Sequence, residues 1–541
     1  MIQRTAELQP VAGDGALEAS SPRKRMKTWI GDHGRIVDCS LILVLLTIVG
    51  VVHAWGMNND PLTWTTDPGT YVSQAWAVEH LGRLAPYSYF YDHPPGAWIQ
   101  MAAWSILTNG FGRYHTAIAF GNECALIAAL ASAVLLYALA RRLNFGRLPA
   151  SCVLLLWGLC PLAVEYSRPA FIDNIAIPWV LLAFYLAYSR RMSLLAGVGA
   201  AAALGVAVDS KETMGVLLPA LIYVYAQNNH RSNRLMTWLL SAFTLLTFVG
   251  LYIAYAALKG EFLYRSGRNT LMYSVVWQLV KRQGTGYIGN PSSSIHLTVV
   301  SWLGYDRYLL LASLAVVPLA LVTKRLRPIS LAFITQCLMV VKGGYVPYMQ
   351  VADILPWAAL VLVGAITFTI GGKNRDWARA KSRIGRIWLG ARRTVAVALA
   401  VAFVAVIAPH WYAGLTRLMS YNHPTSSQLA ERWLAKNVPR NDTVVVDPQL
   451  LVDLWGKYGF PHDKAVSVEK LDADPAVLRT TRHINYIAVE DQTYTSLGAR
   501  TIYPSIFRAE SNGIVVARIG IGPTAVVIWK ISPFYDLRSS G

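Results

Sequence analysis

Apolar residues in this chain run in long blocks separated by short polar stretches. That is the pattern of helices surrounded by hydrocarbon, not the one-sided stripe of a surface helix. The first block, Ile36 to Trp55, has about the ~20 residues that a bilayer crossing needs. It starts too late for a signal peptide and shows no clear small-residue cleavage site, so it reads as an uncleaved anchor. Further blocks lie near 117–140, 148–164, 172–188, 193–208, 214–227, 236–257, 308–323, 328–341, 349–371 and 394–409, which predicts eleven spans in all. The fifth and sixth are short and separated by Asp209-Ser210-Lys211-Glu212. They predict a broken helix pair whose non-helical backbone faces a polar cavity. Segment 96–110 is apolar but falls below the ~17-residue lower limit for a span, so it reads as a helix lying in the interface.

The pattern changes after residue 409. A helical run through Leu429–Leu434 precedes β-rich runs at Thr443–Val446, Ile484–Val489, Gly513–Ile519 and Thr524–Ile531. Strands alternating with helices predict a small α/β sheet. The domain reading is therefore a tail at 1–35, a transmembrane domain at 36–409 with an outer loop at 56–116, and an α/β domain at 410–541. The fold class is mainly α, a polytopic membrane protein of about eleven transmembrane helices with a small C-terminal α/β domain.

Charge supplies the orientation. Arg141, Arg142 and Arg147 follow the second span, Arg190 and Arg191 the fourth, Arg231 and Arg234 the sixth, and Lys324, Arg325 and Arg327 the eighth. A larger cluster from Lys373 to Arg393 follows the tenth. Basic clusters mark the cytoplasmic side, and Arg23, Lys24, Arg25 and Lys27 put the N-terminus there too. Loops 56–116 and 258–307 and the C-terminal domain then face outward from a multi-pass plasma (inner) membrane protein. Composition agrees. Hydrophobic residues make up 54% and charged residues 15% of 541, where a soluble chain carries roughly 25% charged residues. A net charge of +19 would suggest nucleic acid on a soluble fold, but long apolar runs exclude that partner. The five cysteines, Cys39, Cys124, Cys152, Cys160 and Cys337, all lie in apolar segments without metal or disulfide spacing and read as small buried hydrophobes.

Candidate chemistry gathers at the outward ends of the spans. Loop one carries Asn59-Asp60-Pro61, Thr66-Asp67-Pro68-Gly69-Thr70-Tyr71 and Tyr91-Asp92-His93-Pro94-Pro95. Later come Glu165 to Asn174, with Arg168 and Asp173, then Lys211 and Glu212, then Lys342-Gly343-Gly344-Tyr345. Each has a plain structural reading. Asp67 and Asp92 suit turns, Asp173 suits a helix cap, and Lys211 suits a snorkelling anchor. Taken together they point further, because ionisable groups near lipid depth are costly and tend to be functional.

The order Asp67-x-x-x-Tyr71, a helix-like stretch to Gly82-Arg83, Asp92-His93-Pro94-Pro95 and a short apolar helix resembles the first outer loop of GT-C class membrane glycosyltransferases. Within that class the chain is similar to protein O-mannosyltransferases and lipid A aminoarabinose transferases. The similarity continues through Leu136–Arg142, Asp173, Gly197 to Lys211 and Tyr348 to Pro356, and covers roughly 36–371, loosely between 230 and 340. Two departures stand out. The family's paired Asp-Glu is Asp67-Pro68 here, so a second carboxylate must come from elsewhere, with Asp60 and Asp173 the candidates, and its Thr-Lys is Ser210-Lys211. The tail beyond 410 resembles outward domains appended to some actinobacterial relatives.

The resemblance implies a polyprenyl-phosphate-linked sugar as donor, membrane lipids around its isoprenoid, and an acceptor glycan, lipid or protein. It implies Asp67 as general base, with Asp173 orienting the acceptor or supporting the base. Lys211 is then the first choice to meet the leaving phosphate, before Arg168 and Lys342. Asp92 and His93 position the donor or hold a divalent cation, whose ligand set stays open (His296 is one candidate). Tyr71 and Tyr345 line the substrate. Attack opposite the lipid phosphate implies inversion at the anomeric carbon. Two other classes compete: a secondary transporter or lipid flippase, which typically shows internal repeats absent here, and a non-catalytic envelope scaffold. The predicted topology has a direct check. Alkaline phosphatase fused after Gly541 is expected to be active in a bacterial host, and an inactive fusion beside an active cytoplasmic reporter contradicts the odd span count.

Overall fold

A computed structural model of the chain describes residues 34–59, 66–85, 91–189, 193–228, 233–264, 270–341, 344–370, 383–420, 425–472, 477, 481, 483–491, 493, 500 and 503–536. The chain divides into two compact units, 1–44 and 45–541. Of the first, the described part is the beginning of helix α1 (Gly34–Ala54), where Leu43 and Val44 are exposed. All further elements belong to the second unit.

Helices dominate up to residue 420: α2 (Asp67–Leu81), α3 (Gly96–Thr108), α4 (Ala117–Arg142), α5 (Arg147–Gly158), α6 (Pro161–Ser167), α7 (Ile172–Ala187) and α8 (Leu194–Ser210). They continue as α9 (Leu218–Asn228), α10 (Arg234–Leu258), α11 (Ser294–Tyr305), α12 (Tyr308–Val322), α13 (Arg327–Val341), α14 (Gln350–Ile370) and α15 (Arg383–Ser420). Every apolar block is thus helical, but helix length supports fewer crossings than eleven. Among the described residues five helices are long and apolar enough to span a bilayer, and seven if two bent pairs each count once. Two bends that hydropathy does not register separate five from seven, and four short helices separate seven from eleven. The block at 148–164 is divided by Pro161, which opens α6 and bends it 62° from α5, as a proline at a helix start does. Between α11 and α12 the chain turns 101° at Asp306. Its buried carboxylate accepts from the Tyr308 and Leu309 amides that open α12 and from the Trp411 indole of α15. Helices α7, α8, α9 and α13 are apolar but only 16, 17, 11 and 15 residues long.

Exposure divides these helices into two kinds. On α10 Leu235, Leu239, Phe243 and Leu246 are exposed, and on α15 Val397, Leu399, Val401 and Val404 are too. Apolar surface of that extent is not left in water by a monomeric protein, so these faces meet hydrocarbon and the chain is a multi-pass membrane protein. Helix α14 is the opposite case, with 83% of its span buried, and forms the centre of the bundle. Helix α8 lies close against α10, because a Cβ at Gly197 would come within 2.5 Å of Thr237 and one at Gly205 within 2.6 Å of Phe248. Small residues permit such approach where no hydrophobic force drives helices together. Cys124 and Cys160 are buried as expected, whereas Cys39 is exposed.

After α15 the chain forms α16 (Ser426–Asn437), β1 (Val444–Val446), α17 (Pro448–Gly456), β2 (Ala465–Ser467), β3 (Tyr486–Glu490), β4 (Gly513–Ile519) and β5 (Val526–Ile531). The sheet order is β2-β1-β3-β5-β4, parallel through the first three and antiparallel through β3, β5 and β4. Strand β2, only three residues long and fully buried, is too short to show a period in sequence. This sheet shares a core with the outer loop. Val72 and Trp76 of α2 pack with Val446, Leu451 and Trp455, and the Trp76 and Trp455 rings are 5.2 Å apart. A Cβ on Gly69 would meet the Gln449 amide nitrogen at 2.4 Å, so helices α2 and α17 touch at backbone distance. The Asp453 carboxylate of α17 accepts from the Ala117 amide at 3.0 and 3.2 Å. It thereby serves one of the donors a helix N-terminus leaves unpaired, here that of α4.

Candidate active site

Helix ends build the site. Asp67 is the first residue of α2, with Pro68 beside it in the first turn, where a carboxylate is favoured by the helix dipole. Asp173 stands in the first turn of α7. Helix α8 stops at Ser210, Lys211 is extended (φ −153°, ψ 114°), and a short 3-10 helix at Glu212–Leu217 leads into α9. The break expected at Asp209–Glu212 is therefore present, and it frees the Lys211 side chain to turn inward. Its Nζ lies 3.6 Å from Asp173 Oδ2, and the two side chains are 4% and 0% exposed. Neither Asp173 oxygen accepts a hydrogen bond in the described structure, so Lys211 is what makes that buried carboxylate tolerable.

Other predicted residues surround this pair. His93 Nδ1 stands 3.0 Å from Glu212 Oε2, and the Tyr252 hydroxyl donates to the His93 carbonyl at 3.4 Å. The buried Tyr71 ring meets His93 edge-on at 6.0 Å and stacks on Trp98 at 6.5 Å. Asp67, Asp92, Asp173 and Glu212 all act electrostatically on the Tyr71 phenol, so these groups belong to one neighbourhood. Asp67, Asp173, Glu212 and Asp353 likewise act electrostatically on the Lys211 ammonium. Tyr345 joins them from the segment before α14. Its ring lies 3.3 Å beneath the Arg282 guanidinium, and Asp67, Lys211 and Arg282 all act on its phenol.

Arg168 stands apart from this group. Its guanidinium, 2% exposed, donates to the carbonyls of Val52 and Trp55, both at 3.0 Å, and to that of Leu418. An arginine on the last carbonyls of a helix completes that helix end, and Arg168 so ties α1 to α6 and α15. His296 holds its own loop through the Ile288 carbonyl at 2.8 Å. Lys342 and Asp60 lie outside the described residues. Among the described residues no three His, Cys, Asp or Glu side chains converge closely enough to hold a metal ion.

Sequence reasoning passed over three members of this neighbourhood. Asp353 and Gln350 are buried on the first turn of α14, with Gln350 Nε2 donating to Gln336 Oε1 at 2.9 Å and to Asp353 Oδ2 at 3.2 Å. Two polar residues three apart inside an apolar span were a usable signal. Arg282 carried none, since loop 258–307 has no motif; it reaches the site because Thr285 donates to the Gly344 carbonyl. The Lys211–Asp173 pair has a stability consequence. Breaking a buried pair by removing one partner costs roughly 3–5 kcal/mol. Lys211→Met is therefore expected to lower the melting temperature in detergent, and Lys211→Met with Asp173→Asn to recover most of the loss. Equal melting of the single and double variants would show that the two residues do not act as a pair.

Residues 92–253 match the family of dolichyl-phosphate-mannose-protein mannosyltransferases. No curated protein sequence matches at a significant level. Among solved structures the chain is similar to ArnT from Cupriavidus metallidurans bound to undecaprenyl phosphate, at 15% identity over 93% of this chain and 99% of that one, with a TM-score of 0.57. It is also similar to the Archaeoglobus fulgidus oligosaccharyltransferase tethered with an acceptor peptide, at 11% identity over 94% and 76% of the two chains and a TM-score of 0.52. A complex of AglB from the same organism with an inhibitory peptide and a dolichol-phosphate gives 11% identity, 93% and 75% coverage, and 0.51. The family match takes in Asp92, His93, Asp173 and Lys211. The chain is a membrane protein with the GT-C fold of these solved structures, and its segment 92–253 is similar to the mannosyltransferase family.

Proposed function

We propose that this protein transfers a sugar from a polyprenyl-phosphate donor to an acceptor hydroxyl at the outer face of the membrane, with inversion at the anomeric carbon. The observation that carries the reading is that Asp67 and Lys211 lie close enough to Tyr345 to act electrostatically on the same phenol, over which Arg282 stacks as a second cation. The division of labour follows from charge. As the acceptor oxygen attacks the anomeric carbon, its proton passes to the Asp67 carboxylate. The bond from that carbon to the phosphate oxygen breaks, and the electron pair leaves on the phosphate. Lys211 and Arg282 meet the growing negative charge in a site screened from water, where such contacts count most. Asp173 keeps the Lys211 ammonium in place. Tyr71, Asp92 and His93 form the wall on the α3 side, and Lys342 is kept as a candidate for the donor phosphate.

The same reading takes the shorter helices α7, α8, α9 and α13 as further crossings, which restores eleven spans. It places the basic clusters in the cytoplasm and the C-terminal sheet domain outside, so that Asp67 faces the compartment of the acceptor. Membrane lipids hold the donor's isoprenoid, and a glycan, lipid or protein presents the hydroxyl.

Asp67→Asn tests the base. The substitution keeps size and suits a helix N-terminus, but it cannot take a proton. General-base catalysis contributes roughly 10²–10⁴-fold. With water as the surrogate acceptor, hydrolysis of sugar-labelled polyprenyl-phosphate pentose and hexose donors is expected to fall at least a hundredfold with donor affinity kept. Asp173→Asn is the companion. If Asp67→Asn stays within a few-fold of the parent while Asp173→Asn is inactive, the base is Asp173.

A further inference from the structure

The C-terminal domain reaches the base. Glu469 lies in the short helix Val468–Leu471 that follows β2. One of its carboxylate oxygens accepts from the Thr66 hydroxyl at 3.3 Å, and the other accepts from the Thr70 hydroxyl at 3.0 Å. Thr66 is the residue before Asp67 and Thr70 lies one turn after Thr66 in the chain, so the two contacts bracket Asp67. Thr66 occupies the N-cap position of α2 with αR backbone (φ −82°, ψ −6°), not the extended backbone of a side-chain cap, and makes no cap bond to the helix; its hydroxyl turns to Glu469 instead. The same face of α2 is fixed by the backbone approach of Gly69 to Gln449, so Glu469 acts on an element already docked.

We propose that Glu469 is a positioning residue for the transfer reaction, a carboxylate supplied by the C-terminal domain that holds the first turn of α2 through Thr66 and Thr70 and so sets where Asp67 stands. The inference rests on the reading of Asp67 as base. It also gives that base an electrostatic partner. Burial pushes the Glu469 carboxyl up to about 7, Asp67 and Asp92 add to the rise, and the Thr70 bond and Lys470 oppose it. Ionised Glu469 therefore stands against the charge of Asp67, and a proton arriving on Asp67 relieves that repulsion. The assistance exists only while Glu469 is ionised. It grows as pH rises through about 7 and disappears below.

Two readouts on the full-length protein separate this clamp from a structural role and from the transfer reading itself. The first is hydrogen exchange of the amides at 70–76, which needs no substrate. The second is the pH dependence of kcat for hydrolysis of the labelled polyprenyl-phosphate sugars. Glu469→Ala removes charge-assisted contacts, each carrying about a tenfold effect or more, and is expected to speed exchange in this segment and lower kcat by roughly that factor. Donor KM should stay within about twofold, since the donor phosphate is assigned to Lys211 and Arg282 and not to Glu469. Glu469→Gln keeps an acceptor for the hydroxyls, so it should hold exchange near the parent rate while losing the limb of the kcat profile near pH 7. Parental exchange and parental kcat in Glu469→Ala, or a retained limb in Glu469→Gln, overturn the proposal. If the parent hydrolyses neither donor, the transfer reading fails on its own, and the exchange result alone then decides whether Glu469 clamps α2.

Discussion

A lysine and an aspartate buried together at the ends of two helices constrain the rest of the site. Lys211 and Asp173 are almost wholly removed from solvent, and isolated charges in such a place would cost several kcal/mol each. Their attraction is useful only if α7 begins and α8 ends at the same level, and the chain meets that condition by breaking α8 at Lys211. The break turns a lysine that hydropathy would send to the lipid surface into an interior cation. Asp67, Glu212 and Asp353 then act on it electrostatically. The resulting surplus of carboxylates suits a site that must take a proton at one place and offer positive charge at another, provided that Arg282 and Lys211 stand on the phosphate side.

The second constraint is the shared core of the outer loop and the C-terminal sheet. Helix α2 is short, and its apolar face is covered by α17 through Trp76, Trp455 and the side-chain-free surface at Gly69. Burying one large apolar side chain is worth about 1.5–3 kcal/mol, enough to hold a helix of this length that would be marginal alone. The sheet domain thereby acts on the position of Asp67 rather than simply following the bundle. Asp453 on the α4 N-terminus and Glu469 on the first turn of α2 are the polar counterparts of that packing.

Sequence reached far into this structure and stopped for physical reasons. Continuous apolar blocks located every major helix of the bundle, because hydrocarbon surroundings impose a single composition on whole segments. They did not register the bend at Pro161 or the short lengths of α7, α8, α9 and α13, since hydropathy reports composition and not helix geometry. Polar residues at span ends revealed Asp67, Asp173, Lys211 and His93, for a charge beside lipid is conspicuous. Arg168 looked the same by that criterion, yet it binds helix carbonyls; residue type cannot distinguish a substrate phosphate from a helix end. Asp60 and Asp173 were the nearby choices for a carboxylate partner of Asp67. Glu469, 399 residues beyond Thr70, was beyond reach, because only the fold brings it there.

The most direct measurement is a density map of the Asp67→Asn protein with an intact polyprenyl-phosphate sugar bound. The account predicts the phosphate within about 2.7–2.9 Å of Lys211 Nζ, as a charge-assisted contact requires. It also predicts the anomeric carbon between that phosphate and residue 67, with the acceptor side of the sugar facing the first turn of α2. A phosphate bound away from Lys211, or a sugar whose anomeric carbon has the phosphate and residue 67 on the same side, would contradict it.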